Sequence, residues 1–362
     1  MSVRTEILSR FGPGAVGPPP LLLDLTLWHE THRQRDTLPP QWSGLSLVQI
    51  ADDLATPAWV VARPWRIESP GIEVVRTEVD GQRTVETRTP AGVLTSRWSL
   101  GPDGSWWQTE YPVKTVEDLQ VALTAARART YLLEEAGLAE QARALEEHGV
   151  LAVEIPTRPY ADLLYDLVGM SEGFMLLMDD PPAARELVAV LEEKLQEFLP
   201  RLAGLPGDLC FSPDNLDGQF IYPAVFAEFL AASYRASTQV LQTAGKPLVV
   251  HAGGPVGQLL GPLASSGVAA VEGIAPPPQS DASLSQARAL AGPDLTLWGG
   301  IPQDYLLTTR SQEEFETAVT MAAAEARTDG RALLGVADRV PVEAEPARLI
   351  ALPELAEKAA AG

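Results

Sequence analysis

Residues 247–302 read PLVVHAGGPVGQLLGPLASSGVAAVEGIAPPPQSDASLSQARALAGPDLTLWGGIP. Three short apolar runs punctuate this stretch: PLVV before His251, VAAV before Glu272 and LTLW before Gly299. Each is too short for a helix and opens into a loop, as a buried strand does. Between them, PVGQLLGPLASSG and LSQARALAG carry helical patterns. Strand and helix in regular alternation predict parallel strands joined by crossover helices.

The alternation extends both ways. Downstream, SQEEFETAVTMAAAEARTDG predicts a helix with Ser311 and Glu314 as a capping box, and ALLGVADRVP a last strand and loop. Upstream, residues 224–245 predict a helix ending at glycine, DLCFSPDN a strand and loop, and residues 161–203 helices broken near Gly173 and Pro181. LAVEIPTRP and AWVVARP predict further strands, and Ser46 caps a short helix over 46–55. LLLDLTLW (21–28) reads as a first buried strand, followed by the polar loop HETHRQRDTLPPQW. Parallel strands then start near Leu21, Ala58, Leu151, Asp208, Pro247, Val268, Leu295 and Ala332. Eight such units predict an α/β fold of the (β/α)8 TIM-barrel type. Residues 72–98 instead alternate apolar and polar side chains around the turn Asp80-Gly81, which predicts an inserted antiparallel hairpin or meander. Residues 1–20 read as an irregular lead-in and 21–362 as one barrel domain. The runner-up is an open doubly wound sheet. Its phosphate-loop signature occurs only at Gly12 to Gly17, after no strand and before three prolines, so it reads as chance.

Composition narrows the function classes. The chain has 362 residues, 46% of them hydrophobic, and a formal net charge of -21. That charge repels nucleic acid and anionic membranes, while a locally basic pocket is still allowed. No apolar run approaches the roughly 20 residues of a membrane span, and the N-terminal residues lack an apolar signal core. The single cysteine, Cys210, permits no intrachain disulfide. A cytoplasmic protein is expected.

Barrel enzymes gather their reacting groups where strands end, so residues just after each apolar run are the candidates. They are Trp28, His29 and Glu30; Arg63; Arg158 and Tyr160; Asp214 and Asn215; His251; Glu272; Trp298; and Asp338 with Arg339. His251 is the foremost catalytic candidate, since imidazole exchanges protons near neutral pH and glycines beside it admit a ligand. Asp214 and Glu272 are expected to share the proton handling; a carboxylate inside the apolar run VAAVEGI is costly unless paired. Arg63 and Arg158 are candidate carboxylate clamps. Tyr160, Asn215, His29, Asp338 and Arg339 are candidate substrate contacts, and Trp28 and Trp298 candidate pocket walls. His148 reads as a helix-end dipole partner, and His29 with His32 as no metal site.

The block from VVHAGG to LWGGIP resembles the centre of the uroporphyrinogen decarboxylase superfamily. DTLPPQWSGLSLVQIADDLA, TPAGVL and GVADRVPVEAEPARL resemble its outlying decarboxylase-like members, so the resemblance covers the chain from about Leu21 onward. It implies a (β/α)8 barrel. The superfamily includes cofactor-free porphyrinogen decarboxylases and zinc-dependent methyltransferases that act on methylcorrinoids and thiols. Two departures stand out. The R-Q-A-G-R loop of the decarboxylases is replaced by WHETHRQRDTLP, where Arg33 and Arg35 are the nearest substitutes. The methyltransferases' His-x-Cys is matched only at His251, with Gly253 at the cysteine position, and GVAD lacks the second cysteine.

The main expectation is therefore a lyase that decarboxylates a carboxylated small molecule, a tetrapyrrole among the candidates, without an organic cofactor. The alternative is a corrinoid-linked methyltransferase component with a corrinoid protein as partner and zinc as the weaker option, on His251 with Glu272 or Asp214. A third is a ligand-binding barrel without chemistry. A homodimer is the oligomer that the resemblance implies.

Overall fold

A computed structural model describes residues 2–12, 17–101, 104–179 and 181–358. In chain order its strands are β1 (Ala58–Ala62), β2 (Trp65–Glu68), β3 (Glu73–Val79), β4 (Gln82–Thr89), β5 (Gly92–Leu100), β6 (Trp106–Glu110) and β7 (Thr130–Leu133), then β8 (Gly149–Glu154), β9 (Leu209–Leu216), β10 (Leu248–Ala252), β11 (Ala270–Ile274), β12 (Thr296–Ile301) and β13 (Ala332–Val336). The chain divides into two compact units.

The first unit takes residues 1–64, 135–155 and 203–362. Its seven strands form one parallel sheet in the order β1-β8-β9-β10-β11-β12-β13. Seven of the eight expected strands are there. The eighth, residues 21–28, is not a strand. Leu21 makes an isolated parallel bridge to Leu334 of β13, and Leu23 another to Ala58 of β1. Asp24 then stops the extended run: its Oδ1 accepts from the backbone N–H of Thr26 at 2.9 Å and from the Thr26 hydroxyl at 2.5 Å. A helix, Thr26–Arg35, follows directly where a polar loop was expected. The lead-in is also corrected in part, because Val3–Ser9 is a helix capped by Ser2. Residues 13–16 of the chance glycine motif lie outside the described residues.

The first unit packs a dry interior at the N-terminal half of its strands. Leu22, Trp59, Ala152, Leu209, Val249, Ala270, Trp298 and Leu333 meet there, all essentially without solvent contact. The Trp59 and Trp298 rings sit edge to face at 4.7 Å, and Trp298 Nε1 donates to the Leu22 carbonyl at 3.1 Å. Side chains alternate along a strand. The next residues on the same face, two further on, are Asp24, Val61, Glu154, Phe211, His251 and Glu272, and all six line a cavity.

The second unit takes residues 65–134 and 156–202. β3 to β6 form a four-stranded antiparallel meander, as the period-two pattern predicts, and β2 pairs antiparallel with β7. Helices Val116–Ala128 and Pro181–Ala203 belong largely to this unit. Leu94 and Ser96 of β5 are buried, while Trp107 on β6 is exposed.

Candidate active site

The cavity has a volume of about 440 Å³, and all its lining residues come from the first unit: Asp24, Thr26, Val61, Arg63, Glu154, Phe211, Pro213, Asn215, His251, Glu272, Asp338 and Arg339. They stand at the ends of the parallel strands or just beyond them.

The centre of the cavity is a cross-strand pair. The register of β10 and β11 sets His251 beside Glu272 on neighbouring strands. Their side chains meet at 2.5 Å between His251 Nδ1 and Glu272 Oε2. Gly273 follows at φ +100°, and a Cβ there would lie 2.1 Å from the Ala252 carbonyl oxygen, so glycine is required for the strands to pass this closely. His251 Nε2 lies 3.6 Å from Asp338 Oδ1. That is an ion-pair distance, not a direct hydrogen bond. Glu272 is 3% exposed, and its Oε1 has no hydrogen-bond partner.

Burial dominates the electrostatics. It pushes the Glu272 carboxyl up to about 7, helped by Asp338 and Asp24 and opposed by His251. For His251, burial acts downward, but the Glu272 charge and hydrogen bond and Asp338 outweigh it, so the imidazole holds its proton above the ordinary range. Burial also raises Asp24, against its two Thr26 bonds, and Glu154, against the nearby arginines. A carboxylate on Nδ1 fixes the imidazole and leaves Nε2 toward the cavity, the arrangement of a general base with a supporting acid.

Each lining arginine sits beside a carboxylate of its own. Arg63 Nε is 3.7 Å from Glu154 Oε1, and Arg339 Nε is 3.2 Å from Asp338 Oδ1. Asn215 and Asp338 both hold left-handed backbone, at φ 50° and 67°, a conformation that Asn and Asp tolerate best.

The sequence candidates divide. His251, Glu272, Arg63, Asn215, Asp338 and Arg339 come together in the cavity. Asp214 does not join them. Strand alternation turns it the other way, and its Oδ2 accepts from Ser212 Oγ at 2.8 Å and the Tyr234 hydroxyl at 2.5 Å. Trp28 and His29 fall on the helix that replaced the expected strand. Trp28 packs edge to face on Trp42 at 5.5 Å, and His29 Nε2 bonds the Leu45 carbonyl at 3.1 Å. Glu30 pairs with Arg33 on that helix's surface. Trp298 lies in the dry interior, so it is core and not pocket wall. Arg158 and Tyr160 belong to the second unit, where Arg158 precedes the short helix Pro159–Asp162. His148 pairs with Asp52 at 3.0 Å.

Sequence reasoning missed Asp24, Glu154 and Phe211. The signal was present for the first two: LLLDL and LAVEI each set one carboxylate inside an apolar run, the same anomaly that singled out Glu272.

A thiolate-held zinc does not fit these residues. A Cβ at Gly253 would lie 1.7 Å from Asn215 Oδ1, so no cysteine can stand there without moving Asn215. Cys210 is buried on β9 between the interior-facing Leu209 and Phe211. Among the described residues, no group of three or more His, Cys, Asp or Glu is placed to hold a metal ion. Among them also, no helix is long and apolar enough to cross a membrane.

No protein-family model matches the chain, and no curated protein is similar to it. Among solved structures, the chain is similar to a methyltransferase from Methanosarcina mazei, at 13% identity over 100% of both chains with a TM-score of 0.61. A protein described as a vitamin-B12 independent methionine synthase from Listeria monocytogenes aligns at 13% identity over 96% of this chain and 98% of that one, with a TM-score of 0.41. The second score is too low to argue from. The first establishes that this chain shares the fold of the Methanosarcina methyltransferase along its whole length.

Proposed function

We propose that this protein is a methyltransferase-like enzyme of the uroporphyrinogen decarboxylase superfamily, with residues 21–23 standing as the eighth stave of its barrel. The observation that carries the reading is the buried His251–Glu272 pair at the cavity, 2.5 Å apart. The full-length fold likeness to a methyltransferase favours methyl transfer over the other reactions of such barrels.

The chemistry asked of the chain is proton removal. His251 Nε2 takes the proton from the nucleophile, and the electron pair stays on the nucleophile. Glu272 stabilises the imidazolium that forms. The nucleophile attacks the methyl carbon, and the donor leaves with the electrons of the broken bond. The resemblance implies a corrinoid-carrying protein as the methyl donor. Positioned general bases contribute roughly 10²–10⁴-fold.

The test is methyl exchange between the full chain, methylcobalamin and a panel of thiol and amine acceptors. Transfer is expected, with a loss of about 10²-fold or more in His251→Gln. No transfer with any acceptor overturns the reading. An equal rate in His251→Gln removes the proton-transfer role from His251.

A second reading, decarboxylation of a carboxylated small molecule, draws on Arg63 and Arg339 in the same cavity. It is the weaker one, because each guanidinium already faces a carboxylate. Release of CO2 from polycarboxylic tetrapyrroles would favour it.

A further inference from the structure

The cavity is acidic once its charges are counted. Asp24, Glu154, Glu272 and Asp338 supply four carboxyls, against the two guanidiniums of Arg63 and Arg339 and the imidazole of His251. The guanidiniums pair with Glu154 and Asp338, at 3.7 and 3.2 Å. That pairing leaves Asp24 and the His251–Glu272 couple as the remaining charged groups. An anion entering here has to compete with carboxylates for both arginines and then sit near Asp24.

Glu272 offers an independent sign of what is missing. It is 3% exposed, it lines the cavity, and its Oε1 accepts no hydrogen bond. A buried acceptor without a donor is destabilising, and more so if it is charged. A ligand that brings an N–H into the cavity removes that cost. Phe211, another lining residue, adds an aromatic ring, a group that attracts cations.

We infer that the cavity binds a small organic cation carrying an N–H donor, a protonated amine, between Asp24, the Oε1 of Glu272 and the ring of Phe211. The inference rests on reading this cavity as the substrate site, and it names the substrate's charge. The raised proton affinities of Asp24, Glu154 and Glu272 agree with it, since a bound cation stabilises each carboxylate. Amine binding is therefore accompanied by proton release from these carboxyls.

The experiment is calorimetric titration of the full chain with three probes of similar shape: isopentylammonium, isopentanol and isovalerate. Isopentylammonium is expected to bind at least about 10-fold more tightly than isopentanol, with isovalerate weakest. The heat should vary with the buffer's ionisation enthalpy as protons leave. Asp24→Asn, which retains an acceptor for Thr26, and Glu272→Gln should each erase most of the preference. Equal binding of alcohol and ammonium, tightest binding of isovalerate, or no binding of any probe overturns the inference. So does a preference that survives in both variants, because the amine is then held by the acidic surface. The methyl-exchange assay is separate: transfer alongside an anion preference sinks this inference alone, and an amine preference without transfer sinks only the proposed reaction.

Discussion

The two halves of the parallel sheet's interior use the same strands and differ in almost everything else. Toward the strand N-termini, Trp59, Leu209, Val249, Ala270 and Trp298 exclude water and fill the space. Two residues further along, Phe211, His251 and Glu272 surround a cavity of about 440 Å³. One pleat separates Val249 from His251 and Ala270 from Glu272. The lower layer is rigid because it is filled with apolar groups. That rigidity is what lets the upper layer hold a carboxylate and an imidazole 2.5 Å apart with so little solvent contact. Apolar filling and a polar cavity are stacked in successive layers of one sheet.

Substitutions in the two layers should therefore separate activity from folding. The largest effect belongs to the upper layer. His251→Gln keeps a donor for Glu272 but has no titrating ring, and should lower kcat/KM by roughly 10²–10⁴-fold with little change in melting temperature. In the lower layer, Trp298→Ala should cost about 3–5 kcal/mol in denaturant unfolding, by leaving a cavity beside Trp59. If activity per folded molecule fell as far in Trp298→Ala as in His251→Gln, the layers would not be separable.

At the rim, Gly253→Ala presses a methyl into Asn215, whose Oδ1 would stand 1.7 Å from the new Cβ. A cost of about 1–3 kcal/mol is expected, with ligand affinity reduced as Asn215 shifts. Asp214 points away from the cavity, into a buried contact with Ser212 and Tyr234. Asp214→Ala should cost about 1–3 kcal/mol by removing the acceptor of Ser212 and Tyr234, and leave kcat/KM within a few-fold. A catalytic collapse in that variant would return Asp214 to the site.

The last contrast is in pH. Glu272 and His251 both hold protons more tightly folded than unfolded. Their contribution is fully present only below the ordinary Glu value. It declines as pH rises past the ordinary Glu value toward about 7, and then through the raised His251 value. Melting temperature should fall from pH 5 to pH 8 in the wild type, and less steeply in Glu272→Gln. Turnover needs the neutral imidazole, so it should rise with pH with an apparent midpoint above the ordinary histidine range. A midpoint at or below that range breaks the coupling of the pair.

Local pattern carried much of this. Seven of the parallel strands, the antiparallel meander, the N-cap at Ser46 and the capping box at Ser311 follow from period, β-branching and cap chemistry, which act over a few residues. His251 and Glu272 were legible for the same reason, as polar residues at the ends of apolar runs. The segment 21–28 was misread because LLLDLTLW fits a strand and an amphipathic turn equally, and the Asp24 bonds to Thr26 decide for the helix. With it went the reading of Trp28 and His29.

By itself the sequence determined seven of the parallel strands and the antiparallel insertion, which residues are anomalous within the apolar runs, and that no cysteine pair is available. Only the tertiary structure decided which anomalies share a cavity. Strand register pairs 251 with 272, and the pleat turns Asp214 away from Asn215. Two isolated bridges, at Leu21 and Leu23, bring Asp24 beside groups over 200 positions away. Such choices depend on contacts between residues distant in sequence, and no local propensity encodes them.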